Sequence, residues 1–422
     1  MSKNARYALV VLLLSSLSCK VGAPRAGAQT PPIPIAERNA AAQAAVALLQ
    51  AGQLEEARAA AQQVLGSDAG NPRAHLVLAL AEYRVAMQRL AEDIMAAVAG
   101  AAVGSRLFNQ GQVNMRYWRF ALDEADKALG SVDAHLETAA RVPDASLEFC
   151  LACWPGDWNS DGKIDERDTL LLQIELDENG NALPEGDPRR KPTYRFDLGD
   201  FHWATAMVAF QRAALAILVA YDISDIPRVF RGGSKSTVLR IPLTDAESVR
   251  RAKRLILAAL DASDRSRLAI LAETDDDREW LPNPRQKNHP MPLPVDDKLF
   301  ETWEGVIADL RSLMRGETGI DVAALMRLPN SRRQNAPGGF INVSKLFDAP
   351  GDIVLEEKQL KRIFDPESRA DAEAALRELF GAKYVAQMPA GPIFDRLRRM
   401  ADEVARGMEP VGHKLRYLFW IN

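Results

Sequence analysis

Cysteine is scarce in this 422-residue chain: there are three, at positions 19, 150 and 153. So few exclude a disulfide-built scaffold. No second pair follows Cys150-Leu-Ala-Cys153, which excludes a four-cysteine zinc site. Trp154 stands where a c-type haem attachment needs histidine. Histidine is also sparse. His75, His135, His202, His289 and His413 are scattered, and none sits in a His-x-x-x-His or Glu-flanked zinc pattern. Aromatic residues make up only 7% of the chain while alanine is plentiful, which tilts the expectation toward helix. Neither sign of charge dominates. The net charge of −4 leaves no global field for nucleic acid or an anionic membrane surface, so no nucleic-acid partner is expected. No Gly-x-Ser-x-Gly elbow, Walker loop or dinucleotide fingerprint is present. Apolar runs of membrane-spanning length are not expected in the body of the chain, which therefore reads as soluble.

The N-terminus reads as a secretory signal over residues 1–28. Lys3 and Arg6 give a basic start, Ala8 to Leu17 is a short apolar run, and Ala26-Gly27-Ala28 offers a small-x-small cleavage site. The rival is a lipoprotein signal with Cys19 as the lipidated residue, the only route to membrane association. Both place the protein outside the cytoplasm, in the periplasm or at the cell surface. Export permits Cys150 and Cys153 to form a local disulfide; two packed thiols are the alternative.

From Ile35 to about Val142 apolar residues recur at three- and four-residue steps, which predicts helices. Ala44, Leu48 and Leu49 form one run. Leu54, Ala57, Ala61, Val64 and Leu65 form the next, with Gly52 between them. Gln50-Ala-Gly52-Gln-Leu54-Glu-Glu-Ala57 followed by Asn71-Pro72-Arg-Ala74 resembles a tetratricopeptide repeat. That resemblance makes Gly52 the turn glycine and Ala57 the small residue where two helices approach. A generic antiparallel helical hairpin accounts for the pattern equally well. Further helices are expected over 74–98, 115–129 and 133–141.

Twelve residues name a ligand most directly. Asp157-Trp-Asn159-Ser-Asp161-Gly162-Lys163-Ile164-Asp165-Glu-Arg-Asp168 places oxygen side chains at positions 1, 3, 5, 9 and 12, with glycine at 6. This is the spacing of an EF-hand calcium loop. Calcium takes six to eight oxygens in a flexible cage. Asp157, Asn159, Asp161, Asp165 and Asp168 would offer side chains and Lys163 its carbonyl, while Ile164 would pack inward or pair with a neighbouring loop. Aspartate at position 12, with Pro155-Gly156 before the loop, resembles the calcium loop of dockerins. No second loop follows, so a sensor pair is not expected.

Thr169 to Leu176 is expected to form the exit helix, and Glu178 to Asn181 the turn of a small hairpin. Asp197-Leu-Gly-Asp200 could add carboxylates to the calcium site, or simply cap a core helix over 201–221. Val238 to Ile241 suggests a strand. Amphipathic helices follow over 245–262 and 297–314, then over 371–380 and 394–408, and the apolar end 417–422 should dock on the body. The polar connection from Glu273 to His289 is long for a compact domain. Its Asp275, Asp277, Arg285 and His289 are the candidate catalytic groups for a hydrolase-like site.

The expected architecture is mainly α: antiparallel helical hairpins or a bundle, one EF-hand-like loop and at most a small β-hairpin. Residues 29–142 form a helical region, 143–222 hold the loop, hairpin and core helix, and 223–422 form a C-terminal helical region. The functional expectation is an exported, calcium-stabilised scaffold or protein-interaction protein with protein partners. The alternative is a hydrolase-like enzyme using residues 275–289.

Overall fold

The computed structural model describes residues 34–99, 108–109, 112–157, 163–165, 168–169, 172–177, 181–224, 238–289, 295–321, 340–356 and parts of 374–399. It is mainly helical, as the sequence predicts. The expected secretory signal at 1–28, with Cys19, lies outside the described residues. So do most of the calcium-like loop, most of 371–380 and 394–408, and the end at 417–422.

Helices α1 (Ile35–Ala41), α2 (Gln43–Gln50) and α3 (Leu54–Ser67) open the fold. The turn between α2 and α3 needs Gly52, whose φ is +76°. A β-carbon there would also lie 2.8 Å from Pro155 Cγ, so this turn is the seat for the segment entering the calcium-like loop. Helix α4 (Pro72–Ala99) starts at Pro72 behind Asn71. The fully buried Asn71 accepts from the Ala74 amide at 3.0 Å and donates to the Arg38 carbonyl at 2.8 Å. Helix α5 (Met115–Ala139) is one continuous element where two helices are expected. Its stripe Leu122, Ala125, Leu129, Val132, Leu136 and Ala139 is buried without a break, and that packing carries the helix through Gly130.

Helix α6 (Leu198–Ala220) lies between α5 and α7 (Ala246–Ala272) and packs on both, most extensively on α7. Helix α6 starts three residues earlier than expected, and Asp197 is its N-cap. Asp197 accepts from the Gly199 amide at 3.1 Å while Asp200 accepts from the Asp197 amide at 3.1 Å, a reciprocal capping box. By length and apolarity α6 could cross a membrane, contrary to the expectation of no such run. Here it is a core helix. Its Arg212 is paired with Asp126 at 3.1 Å and Asp133 at 2.9 Å on α5. Helix α7 extends ten residues beyond the expected 262, because Ser266 and Ile270 remain on its buried face. Helices α8 (Asp297–Arg315) and α9 (Val343–Asp348) pack on α7 and on each other.

Strands are short: β1 (Phe108–Asn109), β2 (Gln112–Val113), β3 (Leu147–Phe149), β4 (Tyr194–Phe196), β5 (Val238–Ile241), β6 (Ile320–Asp321), β7 (Phe340–Ile341), β8 (Ile353–Glu356) and β9 (Val385–Ala386). They pair antiparallel as β1–β2, β3–β4, β5–β8 and β6–β7–β9. The expected strand at 238–241 is thus β5, though its partner β8 lies far along the chain.

Two large apolar cores result among the described residues. The first gathers Leu49, Leu78, Leu129, Phe149 and Trp154; the second gathers Ile174, Tyr194, Leu260, Ile270 and Trp280. Leu151 and Phe196 pack against both. Cys150 and Cys153, flanking Leu151, are disulfide-bonded. Gln50 fixes this point from the end of α2, donating to the Cys150 carbonyl at 3.0 Å and accepting from its amide at 2.9 Å.

Candidate functional site

The described residues on either side of the calcium-like segment belong to different cores. Trp154, at its entrance, is buried in the first core under the Arg84 guanidinium, 4.9 Å from the ring centroid. Arg84 is itself buried, and burial pulls its pKa below the ordinary arginine value. At Gly156 a β-carbon would meet the Arg84 guanidinium, which would have to shift from its place over Trp154. Ile174, beyond the exit, is buried in the second core.

Among the candidate ligands, Asp157, Lys163, Asp165 and Asp168 are described; Asn159 and Asp161 lie outside the described residues. The closing Asp168 is 7% exposed, and its Oδ2 accepts from the Asp165 amide at 2.7 Å. Two expectations are corrected here. Ile164 is 66% exposed and does not pack inward. Residues 174–177 are not an exit helix, because Leu176 bridges Ala182 in an antiparallel turn closed by Asp177 N to Asn181 O at 2.8 Å and Leu183 N to Glu175 O at 2.8 Å. The small hairpin anticipated around 178–181 is therefore present, and it displaces the helix.

The polar connection 273–289 is neither a loose loop nor a convergent four-residue site. It folds back over the C-terminus of α7, where helix carbonyls lack intrahelical partners. Asn283 Nδ2 donates to Ile270 O at 2.9 Å, and Arg285 donates to the carbonyls of Leu271 and Glu273. Arg285 is thus a helix-end cap. Asp275 and Asp277 both take Arg195 of β4, at 2.8 and 3.1 Å. His289 acts on the neighbouring Asp276, whose carboxyl is held below the usual range by the Asn288 and Lys287 amides. The four candidate groups point to three different partners.

Beside them lies a cluster that sequence reasoning did not select. Asp197, Glu273 and Glu279 each bring a carboxylate oxygen within 4.8 Å of the others. Three elements deliver them. Asp197 is the cap of α6, Glu273 follows the last turn of α7, and Glu279 pairs its backbone with β4 at Arg195. A positive φ of 51° at Arg278 turns Glu279 inward while Asp275 and Asp277 stay outside. Gly199 makes room, since a β-carbon there would lie 3.0 Å from Glu273 Oε1 and 2.5 Å from Ile270. Asp200 completes the group and is buried.

Burial is the first cause of the electrostatics. It pushes Glu273 up to about 10, with the charges of Asp197, Glu279 and Asp200 adding to it. It pushes Glu279 up to about 8, reinforced by Asp197 and Asp275. Asp200 is raised well above the carboxylate range and Asp197 is raised too, both chiefly by burial. Both shifts favour the protonated forms of Glu273 and Glu279 at neutral pH. Gln286 Nε2 donates to Glu273 Oε2 at 3.3 Å, and the Asp277 amide donates to Glu279 at 3.4 Å. The arrangement can store protons, and it offers the oxygen donors a hard divalent cation prefers. One signal for it was legible: Glu279 directly precedes Trp280 and Leu281, the two apolar residues of an otherwise polar stretch.

No family model, curated protein or solved structure matches this chain.

Proposed function

We propose that the protein is an exported helical scaffold or protein-interaction protein, stabilised by one calcium ion in the loop 157–168. The observation that carries this reading is where the loop's described flanks are anchored, one in each core. Its entrance is buried with Trp154 in the first, and Ile174 beyond its exit is buried in the second. A cation held there would tie the two halves, acting as a structural staple. Support comes also from Asp168, buried where the loop closes, and from the disulfide Cys150–Cys153, a bond suited to an oxidising compartment. A lone loop closed by aspartate suits weak affinity, about 10⁻⁴–10⁻³ M, as in extracellular calcium modules. The partners in this reading are proteins.

The alternative, a hydrolase-like enzyme using residues 275–289, draws on the perturbed carboxyls of Glu273 and Glu279 beside that stretch. Against it, Arg285 is spent on helix-end carbonyls and Asp275 and Asp277 on Arg195.

The test is thermal unfolding of the full chain in millimolar calcium and in chelator. Calcium at ten times its Kd should add about 1.4 kcal/mol of stability, and Asp157→Ala should remove the gain. Identical melting in calcium and chelator would overturn the staple.

A further inference from the structure

The histidines look scattered in sequence, yet His75 on α4 and His135 on α5 meet. Their Nδ1 atoms are 2.8 Å apart and their ring centroids 5.1 Å apart. His75 is 9% exposed. The other nitrogen of His75, Nε2, lies 3.0 Å from the Ala69 carbonyl. A carbonyl only accepts, so His75 Nε2 carries a proton. Its Nδ1 is then the bare acceptor, and His135 Nδ1–H must be the donor between the rings. His135 Nε2 faces Glu82 Oε1 at 3.9 Å, while Glu82 Oε2 is buried with no hydrogen-bond partner among the described residues.

This chain of contacts admits a limited number of protons. One added proton can sit on His135 Nε2, facing the Glu82 carboxylate, and leaves the bond between the rings intact. A second must go to His75 Nδ1. Two N–H groups then point at each other across 2.8 Å, between two cations. We propose that His75, His135 and Glu82 form an acid-sensitive clasp between α4 and α5, closed while the rings share one hydrogen bond and opened when both are protonated.

Of the charges acting on His135, Glu82 on α4 favours its protonated form and His75 opposes it. Asp68, beside Ala69, is taken by Arg38 of α1 at 2.7 Å. From the α6 side, Arg212 is held by Asp126 and Asp133 of α5. Burial, the leading cause, already lowers the pKa of His135 below its ordinary value. An unfolded imidazole gains its proton near pH ~6.5. The clasp's contribution is therefore present above that pH and is lost as pH falls.

Two measurements test this. Melting temperature is followed from about pH 7.5 to about pH 5.5, across the imidazole range, for the native chain and for His135→Gln. Over that interval the native chain should lose more than His135→Gln does, by about 2 °C or more, and parallel curves would overturn the clasp. Nitrogen-15 shifts of the native histidines at the upper pH give an independent reading. His75 should carry its proton on Nε2 and His135 on Nδ1. A His135 protonated only on Nε2 has no donor for the bond and would equally overturn it.

Discussion

Burial decides the protonation of Glu279 before any neighbour does, and pH dependence at this residue follows from it. Unfolded, the side chain ionises near 4.5; folded, it holds its proton until about 8. Unfolding thus releases a proton between those values, so native stability falls as pH rises through that window and levels off above it. Each retained proton contributes a slope of about 1.4 kcal/mol per pH unit. Glu279→Gln keeps the shape of the protonated acid without the release. Denaturant titrations of this variant across that window should therefore show a shallower decline than the native chain. An unchanged slope would mean that Glu279 ionises normally. The direction is opposite to that of the His75–His135 pair, so the two effects separate on one pH axis.

At the scale of elements, the α2–α3 turn is the most constrained connection. Gly52→Ala combines a positive φ with a β-carbon driven into Pro155. It should cost more than about 1 kcal/mol, read as a lowered denaturant midpoint with the slope preserved. The helices themselves were legible in the sequence wherever one face is apolar, as at Leu122, Leu129 and Leu136. Their ends were less so. Asp197 rather than Asp200 caps α6, because both aspartates fit a capping box and only the backbone decides which comes first. Thr169 to Leu176 reads as helix from its run of leucines, yet at 175–176 pairing with Ala182 and Leu183 outweighs that local preference. Of the carboxylate cluster only Glu279, set before Trp280 and Leu281, left a mark in the sequence; its assembly did not. Asp197, Glu273 and Glu279 are far apart in sequence, and nothing in their spacing reveals that α6, α7 and β4 bring them together. His75 and His135 share that limitation.

At the scale of the whole molecule, the two cores are not independent. Leu151 and Phe196 pack against both, Phe196 on β4 and Leu151 inside the disulfide turn. Calorimetry should accordingly record one transition for the region spanning both cores. Leu151→Ala removes apolar packing from both at once, at about 2–5 kcal/mol. It should broaden or split that transition, whereas a sharp single peak at lower temperature would show that other contacts couple the halves. Leu151 and Phe196 thus form one wall common to both cores. A disturbance that loosens this wall would be felt in both halves at once.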